Sequence, residues 1–468
     1  MARVLFINPP SPEQLGSPLL GQQYVVAAFL AAGCEVRVID AAARFGPRDP
    51  QEILRMVEDF RADAVGMGLF TRWVWHAYRL AAELKGRVPM LFAGGAHVTV
   101  RPLEALLRGF DMAVIGEAEL AAPRIVDFLE GRAEPESIPG VLYRDPGGTI
   151  RRGPPAVALA DLDAVAPPSL AQPLYDSRWY DPSGSRVVPG GILTSRGCPA
   201  RCTFCANYVT GRSFRHRSAG EVVKELNAYH RLSGCTFFPF WDDALTANVP
   251  RLYELCEAFE RDMEFPLQWS AITRANMVTP ALLRAMKRAG CLAINFGVES
   301  GDDGILRQIK KGVNTGHVLR ALEWAKAEGL ITACNFMVGF PQETPPQLEN
   351  TLRFMERIAP LVDSFSTLGV VVPFPGTELY DNFHQRYGFT DWWNRETYSQ
   401  YSAPPPIDDF DRFYRHYIDD ANLQLDFFHY SEEMRQMIRA CLRFKGEHNL
   451  RKMGFLQDPV YAPVAVAS

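Results

Sequence analysis

At 468 residues the chain is long enough for two or three domains, and its 47% content of hydrophobic residues is ample for packed cores. A formal net charge of −5 argues against a dedicated nucleic-acid binder, whose binding surface is usually basic. No apolar run approaches the roughly 18 residues of a membrane span, and the first residues lack a signal-peptide cleavage pattern, so we expect a cytoplasmic protein without a membrane span.

The first 130 residues alternate short apolar runs with amphipathic stretches. This alternation predicts a parallel, doubly wound sheet, which binds ligands beyond the carboxyl ends of its strands. The predicted strands span residues 4–8, 35–40, 64–70, 90–94 and 112–116, and the predicted helices span residues 20–32, 50–61, 73–85 and 102–108.

The loops after these strands carry the distinctive residues of the N-terminal third. No G-x-G-x-x-G string follows the first strand, which disfavours a dinucleotide site. Several of these loop residues also have an interpretation that involves no ligand. His97 is then a solvated loop residue, Glu117 and Glu119 lie at the positive end of a helix, and Arg72 is a surface charge. The loops read Asn8-Pro9-Pro10, Thr71-Arg72, Gly94-Gly95-Ala96-His97 and Gly116-Glu117-Ala118-Glu119.

Residues 131–188 are rich in Pro, Gly and Asp and indicate a connector. Two extended runs, 141–144 and 149–151, flank a Pro-Gly turn and predict a β-hairpin.

Three of the nine cysteines, Cys198, Cys202 and Cys205, form a C-x3-C-x2-C run after a short apolar run at 191–194. Thiolates are strong, soft metal ligands, and a tetrahedral zinc or an iron–sulfur cluster normally takes four ligands. The residues alone leave two interpretations: a zinc site with His216 as the fourth ligand, or a 4Fe–4S cluster with one iron open to a substrate. The other six cysteines are scattered through apolar runs and indicate buried, reduced thiols.

A second series of strands and helices begins at residue 191. Its predicted strands span residues 191–194, 236–241, 267–272, 292–298, 332–339 and 366–372, and its helices include 218–230, 280–289 and 318–327. The loops after these strands contain Asp242-Asp243, Arg274, Gly297-Val298-Glu299-Ser300-Gly301 followed by Lys310-Lys311-Gly312, Gly339-Phe340-Pro341-Gln342-Glu343-Thr344, and Pro373-Phe374-Pro375-Gly376-Thr377.

Together these strings resemble the cobalamin-dependent radical S-adenosylmethionine (SAM) enzymes. The resemblance rests on the cysteine run with Phe204 before its third cysteine, on the N-P-P, G-G-x-H and G-E-x-E turns, and on the G-x-E-S-G, G-F-P-x-E-T and P-x-P-G-T strings. It covers about 380 of the 468 residues. It implies an α/β fold: a Rossmann-like cobalamin-binding domain at 1–130, a linker at 131–188, a partial (β/α)6 radical SAM barrel at 189–379, and a small, mainly helical C-terminal region at 380–468.

The resemblance also assigns site residues. The three cysteines would hold the 4Fe–4S cluster, with the open iron taking the amino and carboxylate groups of SAM. An N-cap role for Asp242 or Asp243, a surface position for Arg274 and a structural ion pair for Glu299 are the ordinary alternatives. The implied SAM-binding residues are Phe204, Asp242, Asp243, Arg274, Glu299, Ser300, Gly339 and Pro373, and the implied cobalamin-binding residues are Asn8, Pro9, Thr71, Arg72, Gly94, Gly95, His97, Gly116 and Glu117.

One family string is absent. The D-x-H-x-x-G motif, whose histidine binds cobalt from below in cobalamin mutases, does not occur, and some relatives of this domain type bind cobalamin without it. If the loop after the third strand lies under the corrin, Thr71 or Arg72 would approach the lower face.

The implied function is methylation of an unactivated carbon or a phosphinate-type phosphorus of a small molecule. A 5′-deoxyadenosyl radical would remove a substrate hydrogen atom, methylcobalamin would supply the methyl group, and a flavodoxin- or ferredoxin-like donor would supply electrons. The alternatives are a cyclase or ring-rearranging enzyme without methyl transfer, a methyltransferase that uses SAM without radical cleavage, and a non-catalytic corrinoid- or zinc-binding protein.

The C-terminal segment is dense in aromatic residues and resembles nothing assignable. Two interpretations apply: the rings line a substrate pocket, or they pack a helical cap onto the barrel. The residues include Tyr387, Phe389, Trp392, Trp393, Tyr398, Tyr401, Phe413, Tyr414, Tyr417, Phe427, Phe428 and Tyr430.

Overall fold

The computed structural model describes residues 1–12, 14–184, 188–396, 415 and 421–456. They divide into two compact units. The first comprises Met1–Thr273, Ala281–Leu292 and Val372–Ala403, and the second comprises Arg274–Pro280, Ala293–Val371 and Pro404–Ser468. The four predicted domain ranges stay a prediction.

The first unit begins with a seven-stranded sheet. Its strands are β1 (Arg3–Asn8), β2 (Glu35–Asp40), β3 (Ala64–Gly68), β4 (Leu91–Gly94), β5 (Met112–Val114), β6 (Val141–Arg144) and β7 (Ile150–Arg152). The strand order is β2-β1-β3-β4-β5-β6-β7, with β1 to β5 parallel and the predicted hairpin, β6 and β7, added antiparallel at the β5 edge. The predicted parallel, doubly wound sheet is confirmed, and its order switches direction between β1 and β3.

Six helices connect these strands: α1 (Leu20–Ala31), α2 (Pro50–Phe60), α3 (Val74–Leu84), α4 (Ala96–Val100), α5 (Pro102–Leu107) and α6 (Ala122–Leu129). Local chemistry explains their ends. At the start of α2, the side chain of Asp49 accepts a hydrogen bond from the Gln51 N–H, and proline occupies the first helical position. At its end, the capping residue Arg61 has a left-handed backbone conformation.

Three phenylalanines form the centre of the core between the sheet and α1. The ring of Phe6 makes edge contacts with Phe29 and Phe92 at centroid distances of 5.1 and 5.7 Å. A Cβ at Gly66 of β3 would lie 2.5 Å from the Phe92 ring, so only glycine leaves space for this packing.

The second series continues in the first unit. Its elements are β8 (Ser195–Arg196), β9 (Arg215–His216), α7 (Ala219–Ser233), β10 (Phe237–Phe240), α8 (Val249–Asp262), β11 (Gln268–Thr273) and α9 (Pro280–Arg288). Strands β10 and β11 pair in parallel, whereas β8 and β9 form a short antiparallel ladder that the sequence did not predict. The predicted strand at 191–194 is reduced to one parallel bridge between Ile192 and Phe240.

The second unit contains β12 (Cys291–Glu299) from Ala293 onward, α10 (Asp303–Gln308), α11 (Thr315–Ala327), β13 (Ile331–Val338), α12 (Pro345–Ile358) and β14 (Ser364–Val370). Strand β13 pairs in parallel with β12 and with β14. Alternate residues of β12, Ile294, Phe296 and Val298, are fully buried, as the period of two in a strand requires. These parallel sheets confirm the predicted α/β class.

Three further helices follow: α13 (Glu378–Tyr387) in the first unit, and α14 (Ala421–Leu425) and α15 (Glu432–Lys452) in the second. The Asn449 side chain of α15 bonds to both the N–H and the carbonyl of Phe365 in β14, at 2.9 and 3.0 Å. Among the described helices, none is both long and apolar enough to cross a membrane.

The aromatic residues of the C-terminal segment that the structure describes are largely packed. Phe389, Trp392 and Trp393 are 1–3% exposed, which favours packing over a pocket for these three rings. Tyr398, Tyr401, Phe413, Tyr414 and Tyr417 lie outside the described residues.

Candidate functional site

A cavity of about 260 Å³ lies where the parallel strands of the first sheet end. The rings of Phe6, Phe29 and Phe92 line its inner part, and backbone glycines contribute to its rim. An ideal Cβ at Gly68 would have no heavy atom within 4 Å, so this part of the rim leaves room for a bulky ligand. The strand order switches at the same edge, where doubly wound sheets bind ligands. The predicted cobalamin residues that line the cavity are Asn8, Gly94, Gly95, Gly116 and Glu117.

The loop after β3 forms a buried network beside this cavity. His97 is fully buried, its Nδ1 lies 3.0 Å from the Thr71 hydroxyl, and its Nε2 lies 3.8 Å from a carboxylate oxygen of Glu104. The solvated position considered for His97 is therefore wrong. Burial pushes the pKa of Glu104 upward, but His97 and the indole N–H of Trp393 outweigh it and hold this pKa below its ordinary value.

Two other predicted residues belong to the same region. Thr71 lowers the pKa of Tyr208, three residues beyond Cys205, against the larger effect of burial, so the loop after β3 lies close to the cysteine run. Arg72 is half-buried in the turn that precedes α3. A position of Thr71 or Arg72 beneath a corrin stays a prediction.

The acidic turn after β5 holds a buried set of ion pairs. Glu117 bonds through one oxygen to Arg196 at 2.9 Å and through the other to Arg215 at 2.6 Å, while Glu119 bonds to Arg196 at 2.6 Å. The Leu159 N–H donates a further bond to Glu117. Burial alone would raise the pKa of Glu117, but the two arginines outweigh it and lower this pKa. Neither glutamate opens a helix, since α6 begins only at Ala122.

The three cysteines lie on a loop that the β8–β9 ladder closes at its base. Gly197, just before the first cysteine, has a φ of 87°, and an ideal Cβ there would lie 2.2 Å from the Ser213 carbonyl oxygen. The Cys198 N–H bonds to the Gly211 carbonyl at 3.1 Å. Burial raises the pKa of the Cys205 thiol, and the charges of the other two cysteines act in the same direction, so the three thiols are within electrostatic reach.

The donor set of this loop fits an iron–sulfur cluster. Three soft thiols within eight residues can bind different irons of one cluster. In the part of the chain that the structure describes, no three or more His, Cys, Asp or Glu side chains are gathered tightly enough to hold a single metal ion. His216, considered as a zinc ligand, lies in β9, where its Nδ1 is 3.2 Å from the Arg217 carbonyl oxygen.

Asp242 and Asp243 both anchor the cysteine loop. Asp242 is 4% exposed and accepts from the N–H and hydroxyl of Thr194 and from the hydroxyl of Ser195. Asp243 accepts from the Gly197 N–H at 2.9 Å and from the Thr210 hydroxyl at 2.7 Å, so it ties together the two sides of the loop. Neither is a helix N-cap, because Asn248 caps α8.

Two more predicted SAM residues lie in the first unit. Phe204 is half-buried within the cysteine loop, whose Thr203 carbonyl accepts from the Leu379 N–H at 2.8 Å. The Pro373 carbonyl accepts from the Trp392 indole at 2.9 Å.

Glu299 is the last residue of β12 and Ser300 follows it, both in the second unit. Glu299 has a φ of 74°, and its carboxylate pairs with Lys311 at 2.6 Å with both side chains nearly buried. The structural ion pair considered for Glu299 is therefore present. An ideal Cβ at Gly297 would lie 2.9 Å from both charged groups, so glycine makes space for the pair. The Ser300 hydroxyl is fully buried, 3.1 Å from the Thr351 hydroxyl.

The backbone of Gly339, at the end of β13, is held from two sides. The Glu343 carboxyl accepts from the Gly339 N–H at 2.7 Å and from the Phe340 N–H at 3.2 Å. The Tyr430 hydroxyl donates to the Gly339 carbonyl at 2.5 Å. Arg274, the remaining predicted SAM residue, precedes a short 3-10 turn in the same unit.

Four further residues hold the candidate site together and were not among the site residues predicted from the sequence: Arg196, Arg215, Lys311 and Tyr430. A signal for Lys311 was present: a carboxylate at the end of an apolar strand requires a positively charged partner, and Lys311 lies 12 residues from Glu299 in the same string. Arg196 and Arg215 lie 79 and 98 residues from their partner Glu117, so no local signal identified them. No signal identified Tyr430, because its partner Gly339 is 91 residues away.

Two family models match separate segments of the chain. Residues 192–355 match the model of the radical SAM superfamily, and residues 17–126 match the model of the B12 binding domain. The uncharacterized methyltransferase PH0819 of Pyrococcus horikoshii is 30% identical over 392 residues, which cover 81% of this chain and 82% of that protein.

A second relative carries a different activity in its name. The anaerobic magnesium-protoporphyrin IX monomethyl ester cyclase of Rubrivivax gelatinosus is 24% identical over 94% of this chain and 82% of its own length. Among solved structures, the radical SAM methyltransferase TsrM from Kitasatospora setae, with cobalamin and a [4Fe-4S] cluster bound, has a TM-score of 0.66 at 18% identity, covering 83% of this chain and 76% of that chain. This likeness shows a shared fold.

Proposed function

Because this chain belongs to the radical SAM enzymes that carry a cobalamin-binding domain, we propose that it methylates an unactivated carbon, or a phosphinate phosphorus, of a small-molecule substrate. The methyltransferase name of the 30% identical relative supports this choice. The chain uses a 4Fe–4S cluster, SAM and cobalamin, as its two family domains imply.

One observation carries the proposal: both cofactor segments border the same cavity. The glycine turns of the B12-binding domain line one part of it, and Leu193, Arg196, Val209 and Thr210, which flank the cysteine run, line another. A corrinoid bound at this edge would therefore lie against the base of the cluster loop. Such proximity is what methyl transfer to a short-lived substrate radical requires, because reacting groups must be held close together.

The chain's own residues would bind and orient the cofactors and exclude water from the cavity. Cys198, Cys202 and Cys205 would hold the cluster, and Asp242 and Asp243 fix the loop that carries them. Bound in these places, the cluster supplies reductive cleavage of SAM and cobalamin supplies a transferable methyl group. The aromatic floor of the cavity excludes water from a buried ligand face.

Two residues of the second unit that are implied to bind SAM are held in place by their neighbours: Gly339 by hydrogen bonds and Glu299 by an ion pair. The Glu343 carboxyl and the Tyr430 hydroxyl fix the Gly339 peptide groups, whose backbone would flank the adenine. Lys311 neutralises Glu299, so this carboxylate is oriented before SAM binds. An external electron donor of the flavodoxin or ferredoxin type completes the proposal.

The second candidate is cyclisation without methyl transfer, favoured by the cyclase relative that covers 94% of this chain. Both candidates share the cofactors and radical formation, and they differ in whether SAM must also donate a methyl group to the corrinoid.

The decisive experiment supplies anaerobically reconstituted full-length protein with hydroxocobalamin, a reductant and SAM that carries a trideuterated methyl group. For a methyltransferase we expect the deuterated methyl to appear on the corrinoid, together with S-adenosylhomocysteine, when both are measured by mass spectrometry. Formation of 5′-deoxyadenosine without a deuterated corrinoid would favour the cyclase. Absence of bound iron and cobalamin would overturn both candidates.

A further inference from the structure

The β8–β9 ladder at the base of the cluster loop contains an electrostatic conflict. Arg196 and Arg215 lie directly opposite each other in this antiparallel pair, and both side chains are at most 10% exposed. Like charges opposite each other across two strands destabilise the pairing, and burial removes the water that would screen them. The ladder therefore requires a negative charge between the two arginines.

Glu117 supplies that charge from the B12-binding domain. Each of its two carboxylate oxygens bonds to a different arginine, at 2.9 and 2.6 Å, and its side chain is only 2% exposed. Glu119 adds a second bond to Arg196, whose guanidinium also lies 4.7 Å from the ring centroid of Tyr24 in α1. Four charged groups from two cofactor segments thus form one unit, named here the arginine–glutamate bridge (Glu117, Glu119, Arg196 and Arg215).

The same turn forms part of the cavity lining. Gly116, Glu117 and Glu119 line the cavity, as do Arg196 and Thr210 on the two sides of the cluster loop. A ligand that fills the cavity contacts the acidic turn and both sides of the loop at once. Ordering of either side by its cofactor lowers the cost of ordering the other.

We propose that the arginine–glutamate bridge couples the two cofactors, so that bound cobalamin stabilises the closed cluster loop and the assembled cluster tightens cobalamin binding. This inference rests on the proposed function for the identity of both ligands. The β8–β9 ladder has two states in this proposal. In one, the strands are paired and Glu117 bonds to both arginines; in the other, the repulsion between the arginines separates the strands. Because coupling free energy is reciprocal, the two effects must be equal in size.

The test measures the hydroxocobalamin dissociation constant of full-length protein with a reconstituted cluster and of the Cys198→Ala/Cys202→Ala/Cys205→Ala protein, by equilibrium dialysis. When Glu117 is present, we expect the protein with a cluster to bind hydroxocobalamin about fivefold or more tightly than the triple cysteine variant. Fivefold is the lower end of the affinity changes that allosteric coupling commonly produces. In a Glu117→Gln background, which keeps the side-chain shape but removes the shared charge, we expect this ratio to fall to about one. The ratio separates coupling from any direct contact between Glu117 and the corrinoid.

Glu225→Gln is the matched control. Glu225 forms an equally buried ion pair with Arg217 in the same unit and is not among the cavity-lining residues, so its loss should leave the ratio unchanged. A wild-type ratio of one, or a ratio that survives Glu117→Gln, would overturn the inference. If Glu117→Gln does not fold, the wild-type ratio and the reciprocal measurement, the rate of iron loss to a chelator with and without hydroxocobalamin, decide the matter. Failure of the wild-type protein with its reconstituted cluster to bind hydroxocobalamin would instead refute the proposed function.

Discussion

Replacement of Glu343 by glutamine tests whether a buried carboxyl holds the turn after β13 in its protonated form. Burial raises the pKa of Glu343 to about 8, the charge of Asp302 acts in the same direction, and the N–H groups of Gly339 and Phe340 act against it. One carboxyl oxygen accepts from these two N–H groups, and the other has no hydrogen-bond partner among the described residues. Glutamine has the shape of the protonated acid and cannot ionise.

The sign of the pH dependence follows from the raised pKa. Below the ordinary pKa of 4.5 the Glu343 proton is bound in both states, and between 4.5 and about 8 only the folded protein retains it. Wild-type stability therefore falls as pH rises through this window, by about 1.4 kcal/mol per pH unit. The loss is complete above pH 8, where the full shift corresponds to about 5 kcal/mol at most. The Glu343→Gln protein should not lose stability in this way, because glutamine does not ionise.

The assay is urea unfolding of both proteins between pH 5 and pH 9. We expect the free energy of unfolding of Glu343→Gln, minus that of the wild type, to increase with pH and to level off above pH 8. Glu349→Gln, which replaces an exposed carboxylate on α12, the helix that follows this turn, is the matched control and should show a much flatter difference. A difference for Glu343→Gln that is independent of pH, or that decreases with pH, would refute the reasoning.

Three further substitutions test the turn at Gly339, whose backbone would flank the adenine of SAM, and the cysteine loop. Tyr430→Phe removes the donor to the Gly339 carbonyl, so we expect SAM to bind about fivefold more weakly by calorimetry, with hydroxocobalamin affinity unchanged. Gly197→Ala brings a Cβ to 2.2 Å from the Ser213 carbonyl oxygen, so we expect a large loss of iron incorporation by metal analysis. Cys202→Ala removes one cluster ligand and should abolish formation of 5′-deoxyadenosine from SAM, as measured by chromatography.

The chain offers controls for two of these changes. Gly211 has a similarly positive φ of 74° but no heavy atom within 4 Å of an ideal Cβ, so Gly211→Ala separates backbone strain from the clash at Gly197. Cys441 is buried in α15 of the second unit, and Cys441→Ala should retain 5′-deoxyadenosine formation. Equal iron contents in the two glycine variants, unchanged SAM affinity in Tyr430→Phe, or activity in Cys202→Ala would contradict the respective argument.

Much of the architecture could be predicted because its signals are local. The five parallel strands of the first sheet and the hairpin at its edge follow from apolar runs and turn residues that are adjacent in the chain. The strand predicted at 191–194 failed for a physical reason. Ile192 forms an isolated bridge with Phe240, and the next residues turn away to close the cysteine loop against β9.

The cofactor segments were also determined by the sequence itself, since thiol spacing and glycine turns are properties of a few consecutive residues. The partners of the charged groups were decided only by the tertiary structure. Glu117 meets Arg196 across 79 residues of chain, and Glu299 meets Lys311 across 12. A buried charge must be paired, but the pairing depends on which loops the fold brings together. The sequence therefore indicated which segments belong to the two cofactor domains, and the folded chain determined how the charged residues of those segments pair.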